Sequence, residues 1–145
     1  MKRHLPYGRR VSDDDLAWDR VRLTVVIPVY NEVRTVETLL RRVRDVRLWL
    51  EVIVVDDGST DGTRDLLPKL EGTLIDRLVM HEQNRGKGAA LRTGFEHATG
   101  DVVVVQDADM EYDPYEFPML LRPILAGKDR KSTRLNSSHS SVSRM

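Results

Sequence analysis

Apolar residues fall along this chain in short blocks of two kinds, and their alternation predicts an α/β fold. Leu23-Thr24-Val25-Val26-Ile27 is a continuous, largely β-branched run ending at Pro28, the pattern of a strand buried on both faces of a parallel sheet. Val33, Val36, Leu39, Leu40, Val43 and Val46 then recur at steps of three and four, with Arg34, Glu37, Arg41, Arg42 and Arg44 between them. That spacing is an amphipathic helix, with Asn31 placed to cap it. A second strand is read over Glu51 to Val55, followed by an Asp/Gly/Ser/Thr turn and a short helix over Thr63 to Leu70 that Pro68 limits or bends. The third unit has a strand over Leu74 to His81, the loop Asn84-Arg85-Gly86-Lys87-Gly88 and a helix through Ala98. In that helix Ala90, Gly94 and Ala98 make a small-residue face for close approach to the sheet. Gly100 ends it, and Asp101 to Gln106 is the fourth and most apolar strand. A further helix is expected from near Pro114, running from Glu116 toward Ala126 and interrupted by Pro118 and Pro123. Three βα units joined by helix-length connections give a mostly parallel sheet covered on both faces, a Rossmann-like three-layer sandwich.

The two ends of the chain read differently. Residues 1–21 are of mixed charge, with an Asp13-Asp14-Asp15 run, and are expected as a surface arm; Lys2, Arg3, Arg9 and Arg10 lack the apolar stretch that a secretory signal places after its basic residues. No apolar run approaches the roughly 20 residues of a membrane helix. From Asp129 to Met145 there are six Ser, four Lys or Arg, one Asp and almost no apolar residue, so neither a helix face nor a strand is expected. Asp129 to His139 also matches, codon for codon over eleven residues, the in-frame translation of a common sequencing-library adapter. The expectation is a natural frame interrupted after about Lys128, followed by a disordered, artefactual tail over 129–145.

Charge sharpens this division. The whole chain of 145 residues balances 23 basic against 23 acidic residues, but without the tail the body holds 19 basic and 22 acidic, a net charge of −3. Such a body lacks the clustered basic excess that nucleic-acid binding needs. The absence of Cys removes thiol catalysis, Cys-based zinc sites and disulfides together.

In an open parallel sheet, ligands bind outside the carboxyl ends of the strands, and the unusual polar clusters of this chain all fall there. Pro28-Val29-Tyr30-Asn31-Glu32 follows strand one, Asp56-Asp57-Gly58-Ser59-Thr60-Asp61-Gly62 strand two, the Gly-flanked Lys87 strand three, and Asp107-Ala108-Asp109-Met110-Glu111 strand four. Glu32, Asp56, Asp57, Asp107, Asp109 and Glu111 at one edge would repel unless a cation, hydrogen-bond donors or protonation offset them. Oxygen-only ligands suit Mg²⁺ or Mn²⁺, whose shell phosphate oxygens commonly complete, so a nucleoside diphosphate is the implied partner. Lys87 and the unpaired N–H groups of the helix after it would add positive charge beside that phosphate. Each feature also has a plainer reading: Asp-X-Asp and Asp-Asp-Gly are good turns and caps, and a lone Lys is usually solvated. Their conjunction on successive strand ends favours a site.

Spacing excludes several rivals. A calcium loop begun at Asp57 has Pro68 where Glu is required, and one begun at Asp107 has Tyr112 where Gly is required. Gly86-Lys87-Gly88-Ala89-Ala90-Leu91 lacks the third Gly of the dinucleotide fingerprint, and no Walker A motif exists. A sugar-nucleotide pyrophosphorylase would place a Gly-rich loop directly after strand one. His81 and His97 lack metal-ligand spacing and read as surface or strand-end residues.

Val26-Ile27-Pro28-Val29-Tyr30-Asn31-Glu32, Val54-Val55-Asp56-Asp57-Gly58-Ser59-Thr60-Asp61-Gly62-Thr63, Asn84-Arg85-Gly86-Lys87-Gly88-Ala89-Ala90 and Gln106-Asp107-Ala108-Asp109 together resemble the family 2 glycosyltransferases, nearest the dolichyl- or polyprenyl-phosphate sugar synthases. The resemblance spans about residues 22–128 and implies a GT-A fold, C-terminally truncated, with a GDP- or UDP-hexose donor, Mg²⁺ or Mn²⁺, and inversion at the anomeric carbon. It implies that Pro28, Tyr30, Asn31 and Glu32 line the base and ribose pocket and that Val55 and Asp57 fix the base or ribose edge. Lys87 would lie near the diphosphate, with Gln106 and Ala108 near the ribose. Asp107 and Asp109 match the family's metal motif and would carry catalysis, and Glu111, where relatives often have Gln, would join the metal shell. A lipid-phosphate acceptor at the cytoplasmic face of a membrane is likewise implied. Acceptor-side residues lie downstream of this segment in the family, which leaves two alternatives: a donor-nucleotide module without turnover, and a transferase acting on a saccharide hydroxyl.

Overall fold

The computed structural model describes residues 21–46, 48–108, 114, 133–134 and 141–144. In chain order the elements are β1 (Arg22–Val29), α1 (Val36–Asp45), β2 (Trp49–Asp56), α2 (Thr63–Leu70), β3 (Arg77–Met80), α3 (Lys87–His97), β4 (Val102–Val105), β5 (Thr133–Arg134) and β6 (Ser141–Arg144). They build one sheet of order β3-β2-β1-β4-β6-β5. β1 pairs in parallel with β2 over its full length and with β4 through Leu23 to Val26, and β2 pairs in parallel with β3.

The layering follows from that order. β1, β2 and β3 step in one direction across the sheet, so right-handed crossovers put α1 and α2 on the same face, while the return from β3 to β4 carries α3 to the other. The buried side chains sort accordingly. Leu23, Val25, Ile27 and Val29 of β1 pack with Val36, Leu39, Leu40 and Val43 of α1 and Leu67 of α2, whereas Val26, Ile53, Val55 and Val103 pack with Ala90 of α3. Period-two alternation within a strand divides the two cores. The small-residue face of α3 does what its spacing suggests: Ala90 and Gly94 are buried, and a Cβ placed on Gly94 would overlap Val26 Cγ1.

Several local expectations change. Ladder pairing carries β1 through Pro28, and β3 is shorter than the apolar run. Leu74 and Ile75 lie in the turn after α2, where the Asp76 carboxylate accepts a hydrogen bond from Val52 N at 2.7 Å in place of a strand partner. α3 ends at His97, and Gly100 instead lies against β1, its amide donating to Thr24 Oγ1 at 2.9 Å. Residues 133–134 and 141–144 correct the expectation that the Ser-rich segment forms no strand, since β6 pairs antiparallel with β4 and β5 with β6. Ladder bonds use main-chain groups, so the open edge of β4 can template a strand without apolar side chains. The arm over 1–20, the helix expected over 116–126 and the candidate ligands Asp109 and Glu111 lie outside the described residues.

The close seat of α3 makes a stability prediction. Gly94→Val should lower the unfolding free energy by about 1–3 kcal/mol through overpacking against Val26. Gly88→Ala, on the same helix with no atom within 4 Å of the added methyl, should leave stability unchanged or raise it by up to about 1 kcal/mol. Urea denaturation of both variants distinguishes the two effects.

Candidate nucleotide-sugar site

Strand order reverses beside β1, and the crevice opens where β1 and β4 part. Val26 O accepts from Gln106 N on the β4 side, and Val29 O accepts from Asp57 N on the β2 side, so by strand parity the nitrogen of Pro28 faces β4. Proline has no N–H with which to continue that ladder. The two strands separate there, leaving a cavity of about 280 Å³ lined by Pro28, Val29, Tyr30, Glu32, Asp57, Asn84, Gly86, Lys87, Ala90, Asp107 and Ala108.

Hydrogen bonds between loops hold its walls. Asn31 sits at φ 53°, in the left-handed region that Asn tolerates better than most residues, with its N–H donating to Ser59 Oγ at 2.8 Å and its Oδ1 accepting from Thr60 N at 2.7 Å. It therefore ties the loop after β1 to the loop after β2 and does not cap α1, whose first turn follows Thr35. Glu32 performs the capping work nearby: its carbonyl accepts from Val36 N at 3.0 Å, and its Oε2 lies 2.9 Å from Thr35 Oγ1. The same hydroxyl is 3.0 Å from Ala108 O, which brings the loop after β4 into the cluster.

Asp56 and Asp57 have separate tasks. Asp56, fully buried, accepts from Ser59 N and pairs with Arg64 Nη1, both at 3.1 Å through Oδ2, and so caps its own turn. Asp57 Oδ1 accepts from Arg85 N and from the His81 ring, each at 2.9 Å, and Oδ2 accepts from Gly86 N at 2.9 Å. Burial pushes the Asp57 carboxyl up, but the Arg85 N–H, the His81 ring and the Gly86 N–H outweigh it and hold the group below its ordinary value. Gly58 lets these two loops touch, because a Cβ there would stand 2.6 Å from Asn84 N and the φ of 79° is itself unfavourable to a side chain.

Across the crevice, Lys87 Nζ at the start of α3 lies 2.6 Å from Asp107 Oδ1. Asp107 is buried and Lys87 half-exposed, so the ammonium neutralises the acid while remaining within reach of solvent. Gln106 is buried and donates from Nε2 to Asp107 O at 3.2 Å.

The sequence profile of Glycosyl transferase family 2 matches residues 24–130. The chain belongs to this family. Among family 2 relatives it is 36% identical over 129 residues to the undecaprenyl-phosphate 4-deoxy-4-formamido-L-arabinose transferase of Pseudomonas fluorescens, covering 84% of this chain and 38% of the relative. The protein of the same name in Aeromonas hydrophila is 40% identical over 119 residues, covering 74% of this chain and 35% of that one. The chain thus spans little more than a third of these relatives' length. A Pyrobaculum calidifontis mannosyltransferase in complex with GDP-Man and Mn²⁺ superposes with a TM-score of 0.70 at 27% identity, over 90% of this chain and 47% of that one. Glucosyl-3-phosphoglycerate synthase from Mycobacterium tuberculosis, in complex with Mn²⁺, UDP and glucosyl-3-phosphoglycerate, does so with a TM-score of 0.64 at 31% identity, over 78% and 43%. The α/β GT-A fold expected from the motifs is the fold observed.

Within this family 2 fold, the crevice brings together Pro28, Tyr30, Glu32, Asp57, Lys87, Asp107 and Ala108. It does not gather three others. Val55 is wholly buried between β2 and α3, Asn31 faces the loop after β2, and Gln106 is buried behind Asp107. Val29, Asn84, Gly86 and Ala90 complete the lining, and the Asn84-to-Ala90 motif was the available signal for the last three. His81 is a strand-end residue as expected but not a surface one, being 8% exposed against Asp57. His97 is half-buried at the end of α3, its Nδ1 2.8 Å from Thr93 O.

A pH dependence follows from the loop carboxylates. In Asp61 too, burial pushes the carboxyl up while the Thr63 hydroxyl and the amides of Thr63 and Val33 hold it lower than usual. A depressed folded value gives stability that is complete above the ordinary carboxylate range and is lost as pH falls below about 4. Thermal melts from pH 7 to pH 3 should show the melting temperature falling in that interval. Asp57→Asn should start lower at pH 7, with a shallower acid slope.

Proposed function

We propose that residues 22–128 form the nucleotide-sugar-binding part of a metal-dependent, inverting glycosyltransferase that moves a hexose from a GDP- or UDP-hexose to a polyprenyl or dolichyl phosphate. The observation that carries this reading is the pairing of Lys87 with Asp107 across a crevice at the strand reversal, which supports a role for the ammonium toward a diphosphate and for the carboxylate toward a metal. The relatives' names, which specify undecaprenyl phosphate, support the acceptor class and with it a peripheral place at the cytoplasmic face of a membrane. Among the described residues no helix is long and apolar enough to cross a membrane.

The donor set fits a hard divalent ion. Among the described residues no three acidic or His side chains converge on one point. Asp107 Oδ1 nevertheless already holds a cationic head, and Mg²⁺ or Mn²⁺ bound with phosphate oxygens needs only one or two carboxylates from the protein. Asp107 and Asp109 would hold the ion, with Glu111 as a further ligand. When bound, the ion supplies positive charge to the departing diphosphate.

The chain's own groups act around that charge. Lys87 and the first N–H groups of α3 bind diphosphate oxygens. Pro28, Tyr30 and Glu32 line the base and ribose pocket, Asp57 orders its floor, and Ala108 leaves room beside the ribose. The acceptor attacks the anomeric carbon on the face opposite the diphosphate, which inverts that centre. A lipid phosphate, with a second pKa near ~6, is largely anionic at neutral pH and needs no strong general base.

Calorimetry with UDP and GDP, each with and without Mn²⁺, tests the reading. One nucleotide should bind at least about tenfold more tightly with the metal, Asp109→Asn should abolish that increment, and Lys87→Met should weaken the diphosphate about tenfold while leaving the free nucleoside unaffected. Metal-independent binding, or an Asp109→Asn chain indistinguishable from wild type, would defeat it. Transfer of radiolabelled sugar to polyprenyl phosphate separates turnover by this chain from donor binding alone.

A further inference from the structure

His81 is a buried titratable side chain that the transfer reaction does not use, yet it stands at the junction of three elements around the crevice. It follows β3 directly, its Nδ1 lies 2.9 Å from Asp57 Oδ1 at the end of β2, and its Nε2 lies 2.8 Å from Thr93 Oγ1 on α3. It is buried with a polar partner on each ring nitrogen.

The chemistry of these contacts fixes the ring. An ionised Asp57 can only accept, so Nδ1 carries a proton whichever charge state the imidazole adopts. The Thr93 hydroxyl can donate to a neutral Nε2 or accept from a protonated one. With a partner on each ring nitrogen, the bridge behaves as a strut. Asp57 in turn receives Arg85 N and Gly86 N, and Gly86 immediately precedes Lys87, the first residue of α3. Three donors fill three of the roughly four acceptor positions of the carboxylate, leaving Oδ2 capacity for one donor from a ligand.

We propose that His81 is a positioning residue for nucleoside diphosphate binding, holding Asp57 so that Asp57 fixes the Arg85-Gly86 backbone and thereby the place of Lys87. Asp57, Gly86 and Lys87 all line the crevice, so a displaced strut moves its wall and not only its support. This rests on the nucleotide reading above.

The test uses the full chain, with UDP and GDP plus Mn²⁺ as probes and calorimetry as readout, together with amide exchange at Arg85 and Gly86. His81→Ala should weaken the tighter-binding nucleotide about tenfold and accelerate exchange at those two amides while Val25 and Ile27 stay protected. His81→Asn, which restores a donor to Asp57, should return within about threefold of wild type. Introduced into Asp57→Asn, His81→Ala should cost less than about twofold, because its route of action is already cut. An unchanged affinity in folded His81→Ala, or an undiminished loss in the Asp57→Asn background, overturns the inference. Should His81→Ala not fold, Thr93→Val decides: a loss of about threefold supports the strut and none overturns it. A wild-type chain that binds neither nucleotide overturns the nucleotide reading itself, an outcome distinct from wild-type binding that His81 does not influence.

Discussion

The reversal of strand order at β1 is the constraint on which the rest of this structure depends. β1 is paired on both edges and buried on both faces, so any ligand must meet it at its carboxyl end. Pro28 converts that topological fact into a physical opening. Its missing N–H falls on the β4 side, where the ladder would otherwise continue, while Val29 still bonds on the β2 side through Asp57 N. One residue thus ends one pairing and preserves the other, and the loops after β1 and β4 diverge around the space this creates.

That space is rich in carboxylates, and the chain accommodates them by giving each a different partner. Asp56 takes the Arg64 guanidinium and the Ser59 amide, Asp57 takes two amides and an imidazole, and Glu32 takes the Thr35 hydroxyl. Asp107 takes Lys87. Among these described pairs only the last has a half-exposed partner on a flexible stem, so it is the one that a ligand can rearrange at small cost. The buried pairs are fixed parts of the frame, whereas the exchangeable pair lies in the crevice, where the proposed function puts diphosphate and metal.

Strands β1 to β4 and the edge at which the crevice opens were legible in the sequence because both depend on local pattern. A β-branched run such as Val102–Val105 has few alternatives to a buried strand, and Asp or Gly clusters after such runs must lie at the carboxyl edge. What was not legible depends on partners distant in the chain. Asn31 has the residue type of a cap, yet its bonds go to Ser59 and Thr60, 28 and 29 residues away. His81 looked like an ordinary strand-end residue until the fold brought Asp57, 24 positions earlier, against its ring. Val55 follows the motif pattern of a ligand-fixing residue, but strand parity turns it toward α3 and into the core. β6 escaped prediction because its pairing is a property of the β4 edge and not of its own composition.

The height of α3 over the sheet links the core to the candidate chemistry. Gly94 removes the side chain that would hold the helix away from Val26, and Ala90 continues the same face toward the crevice, which it also lines. Lys87 lies one turn before Ala90, so the packing distance set by Ala90 and Gly94 is transmitted along a rigid helix to the ammonium that meets Asp107. At the same end, the Asp57 bonds to Arg85 and Gly86 fix where the helix begins. Helix height comes from apolar contact and helix start from polar contact. Both contacts set where the base of the Lys87 side chain stands beside Asp107, so small residues in the core and a buried carboxylate outside it position the same residue.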